Sequence, residues 1–481
     1  MNTPLRRLAS IALAMSLVLM GSVSWIQFFQ AGRLDSDPRN VRTLYREFGN
    51  ARGPIVVAGS AVASSVPVQD AFGYQRQYAD GPLWSSITGF YGINGRLGLE
   101  KYADDSLTGR SDQLFFSRVR DLLTGRQPEG AAVETTLLPA AQQAAVTALG
   151  DQEGAVVAIE PSTGKILALV STPGFDPNSL ATHDTTAASA AYNTLLSAPG
   201  NPLLDKAYRE NYAPGSTFKL VVAAAALESG TYTPATTLPA PARLGLPGTR
   251  ATIGNFGGGG CGADPISLAA AVRVSCNTAF AQLGMNLGQD ALRAQADKFG
   301  FDDAGLVVPM PVVSSRFPTD LTPAQVAQAA IGQYSVTATP LQMAMVAAAI
   351  GNGGTLMTPY LVDTIRSADL SQVQQTKPTV LSQAVSAQTA TTLTQFMVDV
   401  VTGGSGKAAQ IPGVQVAGKT GTAEVPNSAP NAWFTAFAPA TSPKVAVAVL
   451  VKNGGNLNDE ATGGKVAAPI AKAVIQAVLG R

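Results

Sequence analysis

From Leu8 to Gly32 the chain carries no charged side chain, and this run restricts the possible folds more tightly than any other feature. A bilayer core takes ~20 apolar residues as a helix, because a backbone deprived of water must satisfy its own hydrogen bonds. The centre of the run, IALAMSLVLMGSVSWIQFF, is long enough. Arg6 and Arg7 lie just before it, and basic residues stay on the cytoplasmic side. Residues 1–7 are therefore expected as a cytoplasmic tail and 8–29 as a transmembrane helix. Everything after Arg33 then lies outside, with Trp25, Phe28 and Phe29 near the outer interface. Ser22-Val23-Ser24 is a small-x-small sequence, so a cleaved signal peptide is the rival reading. The apolar run is longer than the 7–15 residues of a signal core, which favours a retained anchor.

The remainder is long enough for one or two further domains, since 481 residues accommodate two to three in all. Charged residues make up 14% and the net charge is +1, well below the usual charged share of about 25%. No basic stripe points to nucleic acid. With one histidine, His183, and two cysteines, Cys261 and Cys276, a four-cysteine zinc site is excluded and a structural zinc is disfavoured. No cofactor and no metal is expected.

The chemistry concentrates in APGSTFKLVVAAAALESG. Pro214-Gly215 breaks the chain, the residues from Ser216 to Glu228 lack Gly and Pro, and Gly230 supplies a stop. Ser216 and Lys219 are thus three apart at the start of a helix, where side chains share a face with Cβ atoms roughly 5–6 Å apart. A serine nucleophile needs a base. His183, in the loop-like ATHDTT, is the lone histidine candidate, and Lys219 is the economical one. The bland reading is a serine cap beside a surface lysine. Two further pieces follow in order: Ser275-Cys276-Asn277 in VRVSCNTAF, and Lys419-Thr420-Gly421 in VAGKTGTAEV. A second serine–lysine pair, Ser162 and Lys165, flanks a Thr163-Gly164 turn between two β-rich runs, so no helix would bring it together.

Organisation follows from periodicity. A helix is expected around Leu99 to Leu107, and another in TLLPAAQQAAVTALG from about Glu134. GAVVAIEPSTGKILALVSTPG reads as an antiparallel hairpin. Alanine-rich helices follow, including Ser267 to Gly284 and Pro340 to Ile350. Strands return at Val414 to Ala417, Ala432 to Phe437 and Lys444 to Val451, and a helix from Gly464 to Leu479 ends the chain. This pattern predicts an α+β fold, an antiparallel sheet covered by helices.

The set S-x-x-K, S-x-N and K-T-G, in this order, is that of penicillin-binding proteins and serine β-lactamases. From about residue 40 onward the chain resembles the class B (monofunctional) penicillin-binding proteins, most closely the actinobacterial penicillin-binding protein A group. Arg52-Gly53 with Ile55 is similar to that family's pedestal start, and GLEKYADDSLTG at 98–109 to its G-x-E…L-x-G element. STPGFDPN at 171–178, SVTATPLQMA at 335–344 and WFTAFAP at 433–439 look like recurrent transpeptidase segments. The resemblance implies a small elongated pedestal (dimerisation-like) domain over 30–133 and a transpeptidase domain over 134–481. It implies a serine-type D-Ala-D-Ala transpeptidase that cross-links peptidoglycan stem peptides, with β-lactams as covalent inhibitors. Only roughly 100 residues separate anchor and catalytic domain, too few for the extra glycosyltransferase domain of two-headed relatives. Glycan polymerisation is then expected from a partner, by resemblance a polytopic membrane glycosyltransferase working with other elongation or division proteins.

Roles follow residue by residue. Ser216 is the expected nucleophile at a helix start, where the dipole favours developing negative charge. Lys219 is the expected base, its pKa lowered by burial and by Lys419. Ser275 is expected to pass a proton to the leaving amine and Asn277 to bond the substrate amide, with Cys276 turned away from the cleft. By resemblance Lys419, Thr420, Gly421 and Thr422 bind the terminal carboxylate, and the Thr422 N–H completes an oxyanion hole with that of Ser216. Cys261 and Cys276 fall in one Gly-rich stretch and are read as a disulfide that steadies Ser275, or else as two buried thiols.

Other readings stay open at this level. A D,D-carboxypeptidase or a β-lactamase-like hydrolase would use the same nucleophile. A divisome scaffold or β-lactam sensor is the non-enzymatic alternative, although a pure scaffold has no need for an intact triple motif. Gly413 to Thr420 formally fits a P-loop ATPase, but its variable residues VQVA read as strand and Gly421 follows at once.

Overall fold

The computed structural model describes residues 3–35, 48–114 and 129–481. Helix α1 (Thr3–Phe29) has a mean hydropathy of 1.9 over its most apolar window, and none of its residues is buried in the protein. Ser10 and Ser16 return their hydroxyls to the carbonyls of Arg6 and Ala12, which hides a polar group that hydrocarbon would not solvate. It is long and apolar enough to cross a membrane. Residues 36–47 and 115–128 of the expected pedestal lie outside the described residues.

The strands of the two large sheets, in chain order, are β1 (Ile55–Val57), β2 (Ser60–Pro67), β3 (Tyr74–Tyr78), β4 (Ala132–Thr135), β5 (Gly154–Ile159) and β6 (Ile166–Thr172). They continue with β7 (Val362–Arg366), β8 (Gln372–Gln375), β9 (Ala417–Val425), β10 (Ser428–Ala438) and β11 (Val445–Val451). After α1, the helices that matter for the site are α2 (Pro139–Leu149), α3 (Lys219–Glu228), α4 (Leu268–Val274) and α5 (Asn277–Leu287). Those that follow are α6 (Pro340–Gly351), α7 (Ala387–Gly403) and α8 (Ala468–Val478).

The N-terminal sheet runs β8-β7-β4-β1-β2-β3, with β1 and β4 parallel. Two of its strands, β7 and β8, come from deep inside the span expected to be purely catalytic, so the sheet stitches the two domains together. Arg366 on β7 reaches Glu134 on β4 at 2.9 Å. Beside this sheet lies a buried charge cluster. Glu100 accepts from Arg52 Nε at 2.5 Å and Arg76 Nε at 2.6 Å, and from the Tyr78 hydroxyl at 3.2 Å. Arg52 also holds Asp104 at 2.6 Å and stacks 4.4 Å over the Tyr91 ring. The Arg-Gly and G-x-E segments read from the sequence therefore meet in space as one ion cluster, with Arg52, Arg76 and Glu100 buried and Asp104 at its partly exposed edge.

The catalytic sheet is antiparallel throughout, in the order β9-β10-β11-β5-β6. Its central strand alternates with period two. Val445, Val447, Val449 and Val451 join the core under α2 and α8, while Ala446, Ala448 and Leu450 join the opposite one. Helix α6 covers that second face, and α3 packs with α5 and α7 in the same core. The sheet covered by helices is thus as expected. Several boundaries differ, and three are informative. The helix expected from Glu134 starts at Pro139, because Ala132–Thr135 is taken up as β4. The strand expected at Val414 starts at Ala417, since Pro412-Gly413 turns the chain and Gly413 has φ 71°. The helix expected from Ser267 to Gly284 is broken at Ser275, whose φ of 60° and ψ of 42° are left-handed.

Candidate active site

Ser216 sits in a single 3-10 turn, Gly215–Thr217, that leads into α3. The turn is held by Gly215 N–H to the Gly332 carbonyl (2.9 Å) and by the Trp433 indole to the Ala213 carbonyl (3.0 Å). It is pressed against β9. A Cβ on Gly215, whose φ is 54°, would lie 2.8 Å from the Thr422 carbonyl oxygen. A Cβ on Gly421 would lie 3.0 Å from the Pro214 carbonyl and 2.9 Å from Trp433 Cβ. Only glycines allow the serine turn and the K-T-G strand to approach this closely. Because β9 is an edge strand, alternate backbone groups of it face away from β10.

Lys219, the first residue of α3, is fully buried. Its amine bonds the Ser275 carbonyl at 2.8 Å, Asn277 Oδ1 at 2.7 Å and, weakly, Ser275 Oγ at 3.4 Å. It is not hydrogen-bonded to Ser216, its helical neighbour. Burial pushes its pKa well below the ordinary lysine value, and the charge of Lys419 pushes the same way. Lys419 is fully buried too, and donates to Ser275 Oγ at 2.8 Å and to the Thr420 carbonyl at 2.9 Å. Burial pushes it down to about 7. Ser275 therefore bridges two lysines that have no carboxylate partner among the described residues.

The break at Ser275 makes this possible. A continuous helix would point the Ser275 carbonyl along its own axis, whereas the left-handed residue turns both its carbonyl and its hydroxyl toward the amines. The break is held from outside. Asn255 Oδ1 accepts the N–H groups of Asn277 (2.8 Å) and Thr278 (3.2 Å), capping α5 with a side chain from another segment. Cys276 is bonded to Cys261 with a sulfur separation of 2.00 Å, and its side chain is buried. Asn277 gives one amide proton to the Gly254 carbonyl at 3.0 Å, leaving the other available.

On β9, Thr420 and Thr422 alternate with Lys419 and Gly421. Thr420 Oγ1 lies 2.5 Å from Ser405 Oγ, in the loop after α7. Neither Ser405 nor Asn255 was marked by the sequence. An asparagine before a Gly-rich loop is a capping type, but the helix it caps starts at residue 277 and no local pattern links them.

The rejected candidates have structural roles. His183 lies in the loop after residue 181 and pairs through Nδ1 with Asp70 at 2.6 Å, its ring 4.7 Å from that of Phe72 and tilted by 50°. Ser162 and Lys165 fall at the β5–β6 turn, where Lys165 pairs with Asp363 at 3.0 Å. The P-loop reading fails because Lys419 and Thr420 are interior to a strand rather than at a helix start.

With this geometry in place, comparison with known proteins is decisive. The penicillin binding protein transpeptidase domain model matches residues 154–476, and the penicillin binding protein A dimerisation domain model matches residues 52–133. The chain belongs to the penicillin-binding protein transpeptidase family. It is 45% identical to the peptidoglycan D,D-transpeptidase PbpA of Mycolicibacterium smegmatis, over all of this chain and 99% of that one. It is 44% identical to the PbpA of Mycobacterium tuberculosis strain H37Rv, over the same proportions. A solved ceftriaxone acyl-enzyme complex of penicillin-binding protein A from M. tuberculosis superimposes with a TM-score of 0.88 at 43% identity. That alignment covers 91% of this chain and 100% of the other. A penicillin-binding protein built this way places its three motifs on a turn, a helix break and an edge strand.

Proposed function

We propose that the protein is a peptidoglycan D,D-transpeptidase acting through a Ser216 acyl-enzyme. The observation that carries this is the convergence of two buried, carboxylate-free lysines on Ser275, beside a serine turn packed on β9. A neutral amine has two N–H groups and one lone pair. The carbonyl oxygens of Ser275 and Asn277 take both Lys219 protons, so the lone pair is left to accept the proton of Ser216. Ser216 Oγ then bonds the carbonyl carbon of the penultimate D-alanine. The oxyanion is met by the N–H groups of Ser216 and Thr422. As the C–N bond breaks, the proton returns through Ser275 to the departing amine, and D-alanine leaves. An amine from a second stem peptide attacks the ester, gives up its proton along the same route, and restores Ser216. Thr420 and Thr422 hold the donor's terminal carboxylate, with Lys419 and the Gly421 backbone completing that end, while Asn277 offers its free amide proton to the donor backbone.

The long apolar α1 supports a single-pass anchor, with residues 1–7 cytoplasmic and the catalytic domain outside. A polytopic membrane glycosyltransferase of the elongation or division machinery supplies the glycan strands. The deciding test is covalent labelling by a fluorescent penicillin. Wild type should label stably, Ser216→Ala and Lys219→Ala should not, and His183→Ala should label normally. Label retained in Ser216→Ala, or found on Ser162, would overturn the assignment.

A further inference from the structure

Helix α5 starts at Asn277 without a cap of its own. The residue before it, Cys276, is tied into the disulfide and makes no side-chain cap, so the first N–H groups must be satisfied from elsewhere. Asn255 supplies the acceptor, from the loop that follows the short strand Thr252–Gly254. Backbone N–H groups can only donate, so the Asn255 amide oxygen must face residues 277 and 278. Its nitrogen is left to donate to the Gly259 carbonyl at 3.3 Å and to Thr278 Oγ1 at 3.4 Å. The residue before Asn255 orients the Asn277 side chain in the same manner. The Gly254 carbonyl can only accept, so the Asn277 amide nitrogen must face it at 3.0 Å. The amide oxygen is thereby turned to Lys219 Nζ at 2.7 Å.

We propose that Asn255 is a positioning residue for the base: through Asn277 it fixes where the lone pair of Lys219 points and how readily that amine takes a proton. The role rests on Lys219 being the base for Ser216. Turned over, the Asn277 amide would bring its N–H groups to Lys219, where they would donate into the lone pair that Ser216 needs. The amine is otherwise met by Ser275 at the helix break, by the charge of Lys419 on β9 and by the Phe280 ring, 5.5 Å away on α5. Among the described residues Lys419 is the one charged group acting on it, and it disfavours the ammonium as burial does. The Asn277 oxygen opposes both, because an acceptor stabilises an ammonium more strongly than a neutral amine. Loosening Asn277 therefore lowers the proton affinity of Lys219 and also frees its lone pair to point away from Ser216.

The test follows acylation of full-length protein in detergent by a chromogenic cephalosporin, from about pH 5 to about pH 10, with the saturating rate separated from the binding constant. In wild type the rate falls on the acid side as Lys219 takes up a proton. Asn255→Ala should lower the plateau rate about tenfold or more, as misaligned reacting groups do, with little change in the binding constant. Its acid limb should move to lower pH by about one unit, as expected for losing a hydrogen bond to the charged form. Asn255→Asp keeps an acceptor for both N–H groups and adds a negative charge, so its limb should move to higher pH. Ser386→Ala is the structural control. It removes the side chain that caps α7 through the Thr389 N–H, and should lower the melting temperature while leaving the limb in place. Acid limbs that stay at the wild-type position in both Asn255 variants, that move the same way in both, or that move equally in Ser386→Ala, would overturn the proposal. A wild type that is not acylated at Ser216 would instead overturn the catalytic reading, and this role with it.

Discussion

Replacing Lys419 with methionine should abolish acylation and yet make the protein more stable at neutral pH. Methionine keeps a straight chain of similar volume and removes the ammonium. Lys419 is fully buried and pushed down to about 7, against about 10.4 for a lysine in an unfolded chain. At pH 7 that gap of roughly 3 units corresponds to about 4 kcal/mol by which burial of the cation opposes folding. The substitution also deletes hydrogen bonds to Ser275 Oγ (2.8 Å) and the Thr420 carbonyl (2.9 Å), each contributing about 1 kcal/mol. The net gain at pH 7 is then on the order of 2 kcal/mol. It is reinforced by removal of a charge that disfavours protonated Lys219.

The pH dependence follows from linkage. The folded value of Lys419 is depressed, so between about 7 and about 10.4 the unfolded chain binds the extra proton. Wild-type stability therefore rises with pH across that window and is flat, for this group, below it. The methionine variant lacks the rise. Its advantage should shrink by about 3 kcal/mol between pH 7 and pH 9.5, enough to reverse sign. Urea unfolding of detergent-solubilised protein, read by tryptophan fluorescence at both pH values, measures it. A variant less stable than wild type at pH 7, or a difference that does not change with pH, would refute the reasoning.

Two other predictions concern the supports of the site. Glu100→Gln should destabilise the N-terminal domain by about 3–5 kcal/mol, because it leaves Arg52 and Arg76 buried against a neutral group. Although burial raises the Glu100 pKa, Arg76 and Arg52 outweigh it and the value is lowered. The carboxylate's contribution is thus present above the ordinary glutamate range and lost as pH falls through the lowered value; acid-unfolding midpoints of the two proteins check this. The Cys261–Cys276 bridge closes a span of 15 residues, and the double serine variant should lose about 3 kcal/mol and acylate more slowly. Two free, alkylatable thiols in native protein by non-reducing peptide mapping would remove the bridge.

What the sequence displayed and what it hid divide along contact distance. Ser216 and Lys219 were legible because their relation is one helical turn, and the Lys419 strand because Thr420 and Thr422 alternate locally with Lys419 and Gly421. The break at Ser275 was not legible. Its neighbours AAAVRV and NTAFAQL both favour helix, and only Asn255 and Cys261, brought in from a Gly-rich loop, make the left-handed residue worthwhile. The pairing of β4 with β7 was equally hidden, since nothing near Glu134 announces a partner at Arg366. Ser405 beside Thr420 belongs to the same class.

Buried charge, too, was visible only as a paradox. Lys219 opens a helix whose next seven residues are all buried, so pattern alone assigns it to the core, where an ammonium without a carboxylate is unstable. The resolution is that it need not be an ammonium. The same lack of carboxylates bears on the second half of the reaction. Among the described residues, none accepts from Ser275, Lys219 or Lys419, so no acidic side chain there is held in place to activate water against the acyl ester. An amine brings its own lone pair and its own nucleophilicity, and needs only the Lys219–Ser275 relay to take its proton. In the proposed reaction two neutral-leaning lysines thus serve the serine and the attacking amine alike, with no carboxylate among the described residues taking part in either half.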